Sequence, residues 1–177
     1  MVEILPFGKY KGKSVEQVCL NDYGYFLWLV KEVKNNDSDI AKRMKQSLRD
    51  RVLFVYKRAN NFKSKKQCSI FECENIAKYF SVYVTRYSID VNTKFIYCSK
   101  ECFYKDPKVT NEIEKIEFLP LKMNSIFRIP RKLSKRDIKK LVDIIFKECM
   151  GLERGKRYSK EQLYEFFNRL SVWGELF

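Results

Sequence analysis

The sequence predicts an α+β fold made of a small hairpin-helix module, a long basic helix, a cysteine-bracketed finger and a C-terminal helical pair. Three observations predict it. Apolar residues recur at spacings of three and four in several segments, the mark of helices with one buried face. Residues 78–84 alternate instead, as a half-buried strand does. Two close cysteine pairs, Cys68 with Cys73 and Cys98 with Cys102, flank that alternating run. With 45% apolar and 15% aromatic residues in a chain of 177, a packed core is within reach.

In chain order the first module spans residues 1–60. Pro6, Gly8 and Gly12 punctuate a short strand-and-turn section. A helix comes next, capped by Asn21 or Asp22, with Phe26, Leu29, Val30 and Val33 on its buried face. The polar run at 35–38 breaks it. A longer helix is then expected over 39–58, with the stripe Ile40, Met44, Leu48, Val52 and Val55. Lys42, Arg43, Lys45, Arg49, Lys57 and Arg58 lie mainly off that stripe. Residues 61–67 form a basic linker without acids. Residues 68–106 are the cysteine module, and 107–177 hold an extended segment and two helices. Glu112 to Phe118 reads as the extended stretch, and Pro120 and Pro130 keep the residues after it irregular or at a sheet edge. Ser134 with Asp137, and Ser159 with Gln162, mark two helix starts. Ile138, Leu141, Val142 and Ile145 face inward from the first, which Gly151 ends. Leu163, Phe166, Phe167 and Leu170 face inward from the second. No internal repeat is visible.

The spacing Cys68-x4-Cys73, twenty-four residues, Cys98-x3-Cys102 supplies four thiolates, the donor set of a structural zinc ion. The strand at 78–84 and a return through Phe95, Ile96 and Tyr97 make a hairpin that brings the pairs together. Buried free thiols and an iron–sulfur cluster are the alternatives. All four positions would be protein ligands, which leaves no open position for catalysis. Cys19 and Cys149 sit among apolar residues and read as core thiols. The segment 97–102, Tyr-Cys-Ser-Lys-Glu-Cys, resembles the second half of treble-clef fingers of the MYND and FCS type. The resemblance covers about 35 residues; the first pair departs from it, with four residues between its cysteines where those fingers have two. It implies a knuckle, a hairpin and a helix start as the sources of the ligands.

Lys and Arg number 36 against 22 Asp and Glu, for a net charge of +14. The excess lies in residues 1–67 and 111–177 and is nearly absent from 68–110. Such a balance fits a polyanionic partner, nucleic acid above all; a solvated, lysine-rich surface is the plainer alternative. The candidate contacts are Lys9, Tyr10, Lys11 and Lys13, the linker lysines Lys63, Lys65 and Lys66, and Arg131, Lys132, Lys135, Arg136 and Lys139. In an extended strand Lys9, Lys11 and Lys13 project to one side.

The string Phe7-Gly8-Lys9-Tyr10-Lys11-Gly12-Lys13, succeeded by Asp22-Tyr23 and the run 25–31, resembles the accessory C-terminal domain of exodeoxyribonuclease X and short phage and bacterial relatives. The likeness covers residues 4 to about 33. It implies an association with DNA processing, hence DNA over RNA, with a protein of a replication, repair or recombination complex as a further partner. It implies no nuclease activity.

The chain has no histidine. That excludes Ser-His-Asp triads, Cys-His nucleophiles and histidine-dependent metal nucleases. Glu112, Glu114, Lys115 and Glu117 match a metal-nuclease strand too loosely to define one, so no catalytic residue is assigned. The expected function is zinc-stabilised, phosphate-directed nucleic-acid binding with weak sequence preference. A peptide-binding interaction module is the rival, since MYND-type fingers bind peptides. The longest apolar run, residues 25–30, is far short of the roughly 20 residues a membrane helix needs. No basic, apolar leader opens the sequence. A cytoplasmic location, with reduced cysteines and no membrane partner, is the expectation.

Overall fold

The computed structural model describes residues 1–35, 37–84, 89–90, 96–110, 116–129 and 132–169. They belong to two compact units. One joins Met1–Asn61 to the segment from Arg157, and the other is Phe62–Lys156.

The first unit opens on a closed turn. Leu5 N–H donates to Lys13 O, and Gly12 N–H donates back to Leu5 O, both at 2.9 Å. Gly8 has φ +70°, and a Cβ there would come within 2.7 Å of the Tyr25 hydroxyl. No L side chain satisfies both conditions without strain. Helix α1 (Val15–Asn21) begins at once, opened by a reciprocal Ser14–Gln17 capping box. This helix is an addition to the sequence expectation of one helix before residue 35. Helix α2 (Tyr23–Lys34) starts at Asp22, whose carboxylate accepts from Tyr25 N–H. It buries Phe26, Leu29, Val30 and Val33 as the spacing requires.

The long helix expected over 39–58 is two helices. Helix α3 (Asp39–Lys42) is capped by the Ser38 hydroxyl, and α4 (Gln46–Asn60) begins after an extended Lys45. The break changes the buried face. Ala41 and Met44 are buried with Leu48, Val52 and Val55, while Ile40 stays half-buried. Arg58, placed mainly off the stripe by spacing, is 3% exposed and lies over the Phe54 ring.

A buried ion pair ties this unit together. Arg51 Nε donates to Glu16 Oε1 at 2.6 Å, on α1, where Glu16 is fully buried. Arg51 also donates to Asn168 Oδ1 at 2.8 Å and sits 4.3 Å from the Tyr164 ring centroid. Both residues belong to the last helix, α9 (Lys160–Asn168), whose Ser159–Gln162 capping box matches the sequence signal. The last helix therefore packs with the N-terminal helices of its unit.

The second unit is built on a small antiparallel sheet. Strand β1 (Tyr79–Val84) pairs along one edge with β4 (Ile116–Pro120), with Phe80 opposite Leu119. Its other edge takes β2 (Ile89–Asp90) at one end and β3 (Ile96–Tyr97) at the other. Helices α5 (Lys100–Tyr104) and α6 (Pro107–Thr110) lie between β3 and β4 in the chain. After β4 a 3₁₀ helix spans Met123–Arg128. Ser134 and Asp137 form the expected capping box for α7 (Lys135–Leu141). A π turn over Val142–Phe146 continues into α8 (Lys147–Met150). Gly151 ends it at φ +87°. Leu141, Val142 and Ile145 are buried, and Ile138 is half-buried. Leu170 lies outside the described residues. No helix among the described residues is long and apolar enough to cross a membrane.

Replacing Arg51 with Leu leaves the Glu16 carboxylate buried without its cation. Breaking such a pair costs about 3–5 kcal/mol. Denaturant unfolding of Arg51→Leu is expected to show a loss of that order, and a loss below about 1 kcal/mol would show that the pair is not what holds α1, α4 and α9 together.

Candidate metal centre

Two backbone devices set the four cysteines. The first is a tight loop closed at its base by Cys68 N–H donating to Asn75 O at 2.8 Å and Ala77 N–H donating to Lys66 O at 3.0 Å. Inside it Cys73 N–H donates to Ile70 O at 3.1 Å, and Glu72 takes the left-handed conformation at φ +64°. That reversal turns Cys73 back toward Cys68. The second device is the start of α5. The Ser99 hydroxyl accepts from Cys102 N–H at 3.3 Å, which fixes Cys98 just before the helix and Cys102 in its first turn. The β1–β3 pairing, with Tyr79 opposite Tyr97, brings the two devices together. Lys78 N–H to Tyr97 O and Ser69 N–H to Ile96 O, each 2.8 Å, lock the register.

The four sulfurs lie within 4.8 Å of one another. Cys98 Sγ is 3.4 Å from Cys102 Sγ and 3.6 Å from Cys73 Sγ, and Cys73 Sγ is 3.8 Å from Cys102 Sγ. None forms a disulfide. A tetrahedral ion with metal–sulfur bonds of about 2.3 Å requires sulfurs about 3.8 Å apart, so these distances fit one ion held by four thiolates. Asn75 Nδ2 donates toward Cys73 Sγ at 3.7 Å, the outer contact that orients a metal-bound sulfur.

The thiols differ in acidity. The backbone N–H of Asn75, aided by the neighbouring thiols, lowers Cys73 to about 7. Desolvation raises Cys68, Cys98 and Cys102 above the ordinary thiol value. A metal ion must displace those protons, so its affinity falls as pH falls. Cys19 and Cys149 are fully buried and outside the cluster. Burial pushes Cys149 up to about 12, in keeping with an inert core thiol.

The core beneath the cluster is small. Cys68, Tyr97, Phe103 and Val109 are its buried members, with the other three cysteines, Ile70, Ile116 and Phe118 packed on it in part. Tyr97 and Phe103 meet edge to face at 5.5 Å, and Phe103 lies 4.6 Å from Phe118. The Tyr97 hydroxyl donates to Asp106 at 2.8 Å.

The sequence-selected cations divide between the units. In the first, Lys9 pairs with Asp22 at 3.1 Å, and the Tyr10 hydroxyl donates to the same carboxylate at 2.7 Å. Tyr10 also packs edge-on against Tyr25 and is half-buried. The backbone here is a run of turns, with Lys11 N–H donating to Gly8 O and Lys13 N–H to Tyr10 O. The extended arrangement expected to align Lys9, Lys11 and Lys13 is therefore absent; the two glycines bend the chain. Partial burial pushes the Asp22 carboxyl up, but Tyr10, the Tyr25 N–H and Lys9 hold it below the usual range.

In the second unit Lys63, Lys65 and Lys66 are exposed, and Lys66 reaches Glu148 at 3.5 Å. Lys132, Lys135, Arg136 and Lys139 are all exposed, while Lys140 turns to Ile89 O at 3.4 Å. Arg131, Glu112, Glu114 and Lys115 lie outside the described residues. The spacing of cysteines was visible in sequence; Glu72 and Asn75, which shape and support the site, carried no such signal. Comparison with family models, with curated proteins and with solved structures finds no match.

Elemental analysis of the purified chain is expected to give about one metal ion per chain. Cys98→Ser or Cys102→Ser is expected to lower both metal content and thermal stability, because ligation contributes folding energy directly. An unchanged melting temperature after complete removal of metal by a chelator would refute a folding role.

Proposed function

We propose that this chain is a zinc-stabilised nucleic-acid-binding protein that contacts phosphates with little sequence preference. The observation that carries the reading is the exposed cationic series Arg128, Lys132, Lys135, Arg136 and Lys139 in the cysteine-bearing unit. Its sequence neighbour Asp137 is tied up in the Ser134 cap, with its carboxylate accepting from Ser134 N–H at 3.1 Å. A cluster of exposed cations attracts a polyanion and releases its counterions on binding.

Zinc is the ion that suits the centre. It takes four thiolates in a closed tetrahedral site and carries no redox chemistry. Sulfurs gathered within 4.8 Å leave room for one ion and not for a four-iron cluster. The order of ligands, a loop, a hairpin and a helix start, supports the likeness to treble-clef fingers. The likeness of residues 4–33 to the exodeoxyribonuclease X accessory domain supports DNA over RNA and a place beside replication, repair or recombination proteins. With four protein ligands the ion stabilises and does not catalyse.

A second reading has its own observation. Phe71, at the tip of the first cysteine loop, is 88% exposed and sits beside exposed Glu72 and Glu74. An exposed aromatic ring with acidic neighbours suits a protein partner better than a phosphate backbone.

Titration of a labelled DNA duplex across salt concentrations separates the two. For the nucleic-acid reading, log affinity falls with log salt at a slope of roughly −0.9 per phosphate contact. Reversing Lys135, Arg136 and Lys139 to Glu should remove about three units of slope in a protein that remains folded. No binding of DNA or RNA at about 50 mM salt, where electrostatic affinity is high, would leave the interaction-module reading standing.

A further inference from the structure

Between the 3₁₀ helix and α7 the second unit carries a cleft of about 490 Å³. Its apolar lining includes Ile129, Leu133 and Ile138, with the Phe127 ring among them. Arg128 and Lys132 line the same cleft. Phe127 is 48% exposed although its neighbour Ile126 is fully buried. Lys135, Arg136 and Lys139 stand exposed on the helix that supplies Ile138. The cleft thus joins an aromatic ring that is 48% exposed and an aliphatic lining to the cationic side chains of Arg128 and Lys132.

That combination selects among polyanions. A duplex offers phosphates but hides the faces of its bases in the stack, so it would use the cations and leave the apolar lining empty. A single strand offers both: bases free to stack on an aromatic ring and phosphates to meet the guanidinium and ammonium groups. The volume is in the range of small-ligand clefts, about 300–1,000 Å³, large enough for a flat ring with its sugar. An apolar lining among five exposed cations would also be poorly matched to a neutral ligand, which would leave those charges without a counterpart.

We infer that this cleft binds single-stranded nucleic acid, with Phe127 as a stacking platform for a base and Arg128 and Lys132 as contacts to the flanking phosphates. This rests on the nucleic-acid reading and narrows its substrate class. Stacking on one ring tolerates any base, in accord with weak sequence preference.

The test uses the full zinc-loaded chain, a labelled twelve-nucleotide oligo(dT) and a duplex of the same length. Phe127→Ala is expected to weaken oligo(dT) binding roughly five- to one-hundred-fold, the range for losing one stacked base. Duplex affinity should change less than about twofold, since phosphate contacts are kept. Phe127→Trp should retain tight oligo(dT) binding, and matching thermal melts of the variants would show that the cleft wall is not a folding element. Equal losses on both probes, no loss on either, or displacement of oligo(dT) by a poly-glutamate peptide of equal charge as readily as by unlabelled oligo(dT) would overturn the single-strand assignment while leaving polyanion binding intact. Absence of binding to either probe at about 50 mM salt would overturn the nucleic-acid reading as well.

Discussion

Four cysteine sulfurs within 4.8 Å of one another are a demanding arrangement for a protein to hold. Once ionised they repel, and while protonated they are weak hydrogen-bond partners for their burial. The chain between the pairs must also be closed into a loop at a cost in entropy. Among the described residues, Tyr97, Phe103 and Val109 are the buried ones packed with Cys68 beneath the cluster. A cation bound among the sulfurs would turn that repulsion into ligation, which for structural zinc is worth about 10–16 kcal/mol of apparent binding energy. The β1–β3 register, the Glu72 turn and the α5 cap all converge on this one point.

The same centre shapes the electrostatics of its unit. A dication held by four thiolates would carry a formal charge of −2 there, and Glu72, Glu74 and Glu101 are exposed on the segments that carry the cysteines. The cations of 128–139 come from a different stretch, the 3₁₀ helix, the loop after it and α7. The four cysteines and the cationic series thus come from separate segments of the second unit. In the proposed function, the ion keeps the unit folded and the cleft segment meets the ligand. That division also leaves the Phe71 loop tip open to a different kind of partner.

The first unit depends on a different constraint. Glu16 and Arg51 are charged residues in an apolar interior, and their pairing through Glu16 Oε1 comes at the cost of desolvating both. What the pair supplies is specificity of assembly. Arg51 has directional donors that Glu16, Asn168 and the Tyr164 carbonyl accept, so α1, α4 and α9 dock in one arrangement. Lys9 and Tyr10 serve a similar purpose at the opening turn, where both converge on Asp22 and anchor the glycine-bounded turn to the start of α2.

Local rules determined much of this structure from the sequence alone. The cysteine spacing named the four sulfurs, the alternation at 78–84 named β1, and Ser134, Ser159 and Gly151 marked helix ends. Each of these is a short-range matter of backbone hydrogen bonds or side-chain period. Helix α1 has a local signal too, in the Ser14–Gln17 capping box and the spacing of Val15, Val18 and Cys19, but the glycine-rich turn before it points as readily to a strand. Other features had no local signal. That β4 pairs with β1, that Arg51 is buried, that α9 packs with the N-terminal helices and that Phe127 faces a cleft all depend on residues distant in sequence. Spacing could not tell which of Lys9, Lys11 and Lys13 already had a carboxylate, because Asp22 comes within reach only once α2 folds against the turn. Tertiary structure decided these points because burial and charge pairing are properties of neighbours in space, and a linear pattern specifies a residue's own face without specifying what is brought against it.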